Sequence, residues 1–399
     1  MGLSSETLEL PMDLVTDEIL TRLPAKSLMR FKCVSKHWLS VICSKYFSNR
    51  FLTVPSPRLY LSLRNHEDKG KSVILSLAPS SSSSTTPSSF VVDHDLTIPR
   101  MGGNIVQFFR GFMCYICRSR AHIYNPATRQ LVTLPFTRNM IVPRGGDKVV
   151  YYYFGHDPIN DQYKVVSLIS VYSLGGAKVM SKNWVFDLKA GGGGSWRKAA
   201  LTPPDFSPHQ LGVGGGVCID GVIYYVVWVD YKAVVVSFDV RSEEFNMIQV
   251  PPRDGDEDLR RTLNWSLTKN LALLEHGGKV TLFDQTNLKN KGVVALWTLE
   301  DAGTKKWSCK SQALKPCQMH LVSGIKFLIR GTTQKGKVIL IPKRIFSPYH
   351  ILCYDLQSND MTKIEIKGIP DHWFSLHKYN ISLHLMFMDQ SESVMCWET

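Results

Sequence analysis

At 399 residues and 44% hydrophobic content, the chain is too long for one ordinary compact domain and too apolar for general disorder, so one small and one large unit are expected. Its net charge of +13 raises the question of nucleic acid, but the basic residues are dispersed and the clusters at Arg118–Arg120, Lys305–Lys306 and Lys343–Arg344 are short, which fits a generic basic surface and not a nucleic-acid site. Nine scattered cysteines suit free thiols in a reducing compartment, and no apolar run reaches the ~20 residues of a membrane helix, so the expected setting is intracellular, cytoplasm or nucleus.

The N-terminal stretch MGLSSETLELPMDL has neither the basic nor the apolar region of a secretory signal. Glu6 stands where N-myristoylation asks for Ser or Thr. Residues 10–52 read as three helices. Leu10–Pro11 opens the first, with Pro at the first helical position and Asp13 in the first turn. Pro24 ends it near Leu23. Ala25–Val34 forms the second. Ser35 caps the third, which runs through Trp38, Leu39, Ile42 and Tyr46.

On a helical wheel, Leu10 and Leu14 fall together, Val15, Ile19 and Leu23 fall opposite, and Leu20 lies off to a third side. A helix that covers only its own core shows one apolar stripe. The second and third helices also carry a surplus. A unit of about forty residues cannot bury two faces of every helix unaided. Either the large domain covers the excess, or another protein does.

The residues decide between these by resemblance. Leu10–Pro11, Ile19–Leu20, Leu23–Pro24, Lys26-Ser27-Leu28, Arg30–Phe31, Val34 and Lys36-His37-Trp38 follow the pattern of an F-box, over residues 5–52. Ser35 replaces the family's usual Cys and is the better cap. The resemblance implies binding of a Skp-type adaptor, and through it a cullin, by a surface carried over to Leu10, Pro11, Ile19, Leu20, Leu23, Pro24, Leu28, Val34 and Trp38. Some of these nine pack the helical core instead, and sequence does not sort them.

After Pro55 and Pro57 the periodicity changes to short apolar runs between turn signals, which predicts an all-β domain. Residues 53–94 read as a linker with first strands and a loop at PSSSSSTTPSS, and residues 95–399 as the main β domain. The clearest unit spans 213–250. There Asp220–Gly221 signals a two-residue hairpin, and four strands follow in under forty residues, the length of one propeller blade. Similar units are cut at 104–134, 149–200, 263–299 and 325–366. A mark recurs in them: an aromatic–Asp pair, a polar turn, then a final strand. It stands at Phe186–Asp187, Phe238–Asp239, Phe283–Asp284 and Tyr354–Asp355, with Tyr124–Asn125 as a variant. Strands in 58–92 and 373–397 are placed to pair and close a ring. The expected fold is a small all-α F-box followed by a β-propeller of about six blades, with an irregular β-sandwich as the alternative.

The segments Asn125–Arg129, Gly155–Pro158, Asp161–Val166, Ser195–Lys198 and Leu296–Asp301 resemble the F-box-associated domain of plant F-box proteins. His156 replaces a family Tyr. The resemblance implies a domain that selects a protein for ubiquitylation.

Catalytic chemistry is sought in vain. Cys114 and Cys117 lack a second pair at zinc spacing, and on a strand they point to opposite faces. The glycines at 212–216 do not complete a dinucleotide fingerprint. The acidic run 254–258 lacks the EF-hand spacing. His122 and His156 read as structural. Trp196, Trp228 and Trp297 serve equally as core or as anchors for a target. The expectation is a non-catalytic substrate receptor without cofactor or metal. The alternatives are a propeller enzyme or carbohydrate-binding module, and a scaffold acting apart from ubiquitin.

Overall fold

A computed structural model describes residues 10–65, 72–80, 88–99, 101, 103–117, 119–136, 147–172, 178–189, 193–199, 210–211, 215–229, 232–253, 270–333, 335–344, 346–375, 381–390 and 393–395. The Ser-rich stretch 81–87 and the acidic run 254–258 lie outside the described residues.

Short antiparallel strands follow one another as the alternation of apolar runs and turns requires. The first three are β1 (Pro55–Asn65), β2 (Val73–Pro79) and β3 (Ser89–Pro99). A second group is β4 (Asn104–Phe109), β5 (Phe112–Cys117), β6 (Arg120–Asn125) and β7 (Gln130–Thr133). The third is β8 (Asp147–Asp157), β9 (Gln162–Tyr172), β10 (Lys178–Leu188) and β11 (Arg197–Lys198). The fourth is β12 (Gln210–Leu211), β13 (Val217–Ile219), β14 (Val222–Val229), β15 (Lys232–Asp239) and β16 (Phe245–Gln249). The fifth is β17 (Leu271–His276), β18 (Lys279–Asp284), β19 (Val293–Asp301) and β20 (Lys306–Ala313). The sixth is β21 (Phe327–Thr332), β22 (Val338–Pro342), β23 (Tyr349–Asp355) and β24 (Asp360–Lys367). Last comes β25 (Ile381–Gln390), which pairs antiparallel with β1 from Asn65↔Ile381 to Pro55↔Gln390.

These groups are six blades of a ring. The first blade is β25-β1-β2-β3, and β3 is joined to the sixth by a three-residue parallel pairing with β24 as well as by apolar packing. The innermost strands meet in cyclic order, β25 to β4, β4 to β8, β8 to β13 and β14, β13 to β17, β17 to β21, and β21 back to β25. An apolar layer fills each of the six gaps between neighbouring blades. The period-two alternation of strands feeds both sides of each blade. Tyr152 and Phe154 face the second blade, and Tyr153 between them stacks on Tyr225 of the fourth at 4.0 Å between ring centres. Cys114 and Cys117 likewise part, into the layers on either side of the second blade. This is a closed propeller with strand 381–390 completing the first blade, not a sandwich.

The recurring Asp has a physical reason. Asp187 accepts from Arg197, whereas at Asn125, Asp239 and Asp355 of the mark, and at Asp157 and Asp301 outside it, the side-chain oxygen accepts backbone N–H groups two or three residues on. Four residues after each stands a non-glycine with positive φ: Arg129, Asp161, Glu243, Lys305 and Asn359. The Asx turn and the left-handed residue together reverse the chain within one hairpin. Phe283–Asp284 departs from the expected placement. It closes the second strand of its blade, and Asp301 holds the turn before the final one. The fifth blade therefore runs from 271 to 313 and not from 263 to 299.

The third and fourth blades are also clasped by charge. Lys164, 7% exposed in its side chain, donates to Glu243 at 2.6 Å, and Arg197 donates to Glu243 and to Asp187. The hydrogen bonds from Arg197 hold the Glu243 carboxyl below its ordinary pKa in spite of burial.

Candidate functional site

The N-terminal helices are α1 (Met12–Leu14), α2 (Ala25–Phe31), α3 (Lys36–Cys43) and α4 (Lys45–Leu52). The first continues as a π-helical turn over Val15–Ile19 and a tight 3₁₀ turn over Leu20–Arg22. Ser35 caps α3 as expected, its hydroxyl accepting the Trp38 N–H at 3.2 Å. The single third helix expected from the sequence is divided. Ser44 takes an extended backbone and caps α4 by accepting the Phe47 N–H at 3.1 Å. Tyr46 on α4 reaches back to Asp17 at 2.7 Å, and that hydrogen bond raises the tyrosine pKa.

Leu20, Ala25, Leu28, Ile42, Phe47 and Phe51 form the core of this unit. The nine residues assigned to an interface fall into three groups. Leu20 and Leu28 are buried, at 2% and 0% exposure, so their place is in the core and they present nothing to a partner. Leu23 and Trp38 are half-buried. Leu10, Pro11, Ile19, Pro24 and Val34 are exposed, Val34 at 68%. Met12, Leu14, Leu39 and Tyr46 are also exposed and were not assigned. The pairing of Leu10 with Leu14 on the helical wheel was the available signal. Among the described residues, seven of the thirteen exposed large hydrophobics lie between Leu10 and Tyr46. That concentration in about a tenth of the chain marks an uncovered apolar face.

The large domain covers another part of the surplus. Val394, beyond β25, is buried in the helical core, and Ala127 packs against it. Lys32 donates to the Val394 carbonyl at 2.6 Å. Arg110, in the turn after β4, donates to Asn49 on α4 and to the Tyr163 hydroxyl at 3.0 Å. Lys45 pairs with Asp161 at 3.0 Å, and Asp161 bonds His156 at 2.8 Å. Burial depresses the pKa of His156 in spite of Asp161. Burial acts to raise that of Asp161, but the bonds from His156 and Lys45 outweigh it and hold the carboxyl low. His156 thus steadies Asp161, the blade residue that meets Lys45 of the helices.

A cavity of about 540 Å³ opens at this same end of the ring. The turns after the innermost strands line it, with Arg110, His156, Asp220, Glu275 and the Cys218 thiol as its ionisable groups. Asp220 and Gly221 both take positive φ, as the hairpin signal requires. Burial, and then Asp220, raise the Glu275 pKa. The channel is therefore not free of carboxylates. Among the described residues no group of three potential metal ligands converges, and no helix is long and apolar enough to cross a membrane. Trp228 is buried, and Trp196 and Trp297 are half-buried against their blades, with the Trp196 indole donating to the Pro135 carbonyl at 2.7 Å.

Comparison with known proteins agrees with both units. The F-box domain matches residues 8–50, and the F-box associated beta propeller domain matches residues 58–391. The F-box/LRR-repeat protein At2g40920 of Arabidopsis thaliana is 44% identical over 96% of this chain and 86% of its own length. The F-box protein At2g40925 of the same plant is 44% identical over 98% of this chain and 94% of its own. Among solved structures, a chain from a nidogen/laminin complex is similar over 84% of this chain and 99% of that one, at a TM-score of 0.44 and 9% identity. With an F-box at its N-terminus and a matched propeller over most of the remainder, this chain belongs to the family of F-box proteins that carry an F-box-associated β-propeller domain.

Proposed function

We propose that this protein is the substrate-recognition subunit of a Skp-cullin-F-box ubiquitin ligase. The observation that carries this reading is the apolar face left open on the F-box by Leu10, Leu14, Ile19, Val34 and Leu39. A Skp-type adaptor is the partner this family implies for such a face, and a cullin joins through the adaptor. The propeller holds the target near the ubiquitin-charged enzyme, and the gain is one of effective concentration, with no covalent step asked of this chain.

Of the nine residues carried over from the family pattern, the contact role passes to Leu10, Pro11, Ile19, Pro24 and Val34, with Leu23 and Trp38 at the margin. Arginine at Leu20 would disrupt the helical core and so cannot test the contact. Ile19→Arg with Val34→Arg is the cleaner pair, because both side chains are exposed. In a pull-down with a purified Skp-type adaptor and a cullin, the full chain is expected to retain both, and the double variant to lose both while its melting is unchanged. Retention of both by a folded double variant removes this assignment. The enzyme alternative draws on Asp220 and Glu275 in the channel. It requires turnover that Glu275→Gln abolishes, whereas the receptor reading expects that variant to support target ubiquitylation like the parent.

A further inference from the structure

Positive charge is not spread evenly around the ring. Between Asp284 and Asp355 the sequence holds twelve Lys and Arg against Glu300 and Asp301 alone, a net +10 of the chain's +13. This corrects the expectation of a dispersed basic surface. The fold gathers much of this charge at one end of the fifth and sixth blades. Three connections lie there, away from the F-box: 285–292 between β18 and β19, 314–326 between β20 and β21, and 343–348 between β22 and β23. They carry Lys289, Lys291, Lys315, Lys326, Lys343 and Arg344, and no Asp or Glu.

The three connections form one surface. The Leu314 N–H donates to the Gly292 carbonyl at 2.8 Å, and the Lys343 N–H donates to the Lys326 carbonyl at 3.0 Å. Leu288, Leu314 and Val322 share one apolar layer beneath them. Lys315 pairs with Asp360 at 3.1 Å. Lys289, Lys291, Lys326 and Arg344 have no carboxylate within ion-pair distance among the described residues. Two exposed apolar side chains stand beside them, Ile325 at 38% and Phe346 at 63%.

We infer that this end of the fifth and sixth blades docks an acidic peptide segment of the target protein, with one bulky apolar side chain of that segment seated against Phe346 and Ile325. This rests on the receptor reading above and names the chemistry of its target. Charge complementarity supplies the acidic character, because cations with no neighbouring carboxylate repel one another until an anion joins them. The two apolar side chains supply the anchor, since exposed Phe and Ile gain by burial and polar nucleic-acid backbone offers nothing to cover them. These connections lie at the opposite end of the blades from the turns that meet the helices, at Arg110 and Asp161.

The test measures binding of a fluorescent octapeptide of Asp and Glu with one central Leu to the full chain at low salt. Lys326→Glu with Arg344→Glu is expected to weaken it about tenfold or more, and Lys305→Glu with Lys306→Glu, equal in charge change but at the other end of the blade, less than about twofold. Phe346→Ser in the protein, or Ala for Leu in the peptide, is expected to cost about fivefold. Equal loss from the two charge reversals overturns the inference, as does indifference to the Leu. Tighter binding of a twelve-nucleotide oligo-dT than of the peptide would make the surface a nucleic-acid site instead. If Asp254→Asn, Asp256→Asn, Glu257→Gln and Asp258→Asn together strengthen peptide binding tenfold, the chain's own acidic run is the occupant, and the inference also fails. Adaptor pull-down with the same variants separates the two readings: adaptor retained with no peptide bound defeats only this inference, and adaptor lost from the parent chain defeats the receptor reading itself.

Discussion

The helical unit and the propeller solve the problem of apolar surface in opposite ways. The ring hides its own: six blades give six internal layers, and β25 returns to β1 so that no blade face is left at an end. The F-box has too few residues for that. It uses Leu20, Leu28, Ile42 and Phe47 for a core, borrows Val394 from the far end of the chain, and still leaves Ile19 and Val34 uncovered. A closed ring is self-sufficient, and a small helical unit beside it keeps a face to offer.

Deleting residues 381–399 should have the largest effect. It removes the innermost strand of the first blade and Val394 together. Calorimetry is expected to show no cooperative transition for the ring, and a sharp melt near that of the parent would break the contrast. Next in size, Glu243→Ala takes from the buried Lys164 its partner at 2.6 Å and leaves it only Asp187, at 3.9 Å. Denaturant unfolding should register a loss of about 3 kcal/mol, in the range for one half of a buried ion pair. Leu28→Ala removes a fully buried side chain and should cost about 3 kcal/mol, felt by the helices and by adaptor binding. Lys45→Ala should cost less than about 1 kcal/mol, because its side chain is mostly exposed. Hydrogen exchange at α4 is the sensitive measurement there.

The pH dependence of the junction sharpens the same contrast. His156 has a depressed pKa in the folded chain, so the unfolded chain binds more protons once pH falls below the ordinary histidine value of about 6.5. The stability contributed by neutral His156 is present above that value and is lost as pH falls through the folded pKa. Exchange protection at α4 should therefore decline on mild acidification, and His156→Gln should flatten the decline. An unchanged slope in that variant would remove His156 from the junction.

Much of this was legible in sequence because local chemistry carried it. Asp220–Gly221 demands a tight hairpin wherever it occurs, and Asx turns repeat at Asn125, Asp239 and Asp355 for the same reason. The F-box was legible through its spacing. Where sequence reasoning failed, the cause was non-local. Whether Leu20 or Ile19 faces inward depends on a π-helical turn that shifts the wheel within α1's continuation. Lysines far apart in sequence look dispersed until the fifth and sixth blades bring their connections to one end. Phe283–Asp284 copies the mark of a final turn, and only strand pairing shows that it closes an earlier one.

The borrowed Val394 also sets an order of events. The helices precede the propeller in the chain, yet the side chain that completes their core follows more than three hundred residues later. Chains interrupted before β25 hold neither a finished ring nor a finished helical core. Seating Val394 in that small core thus ties the integrity of the helices to that of the first blade.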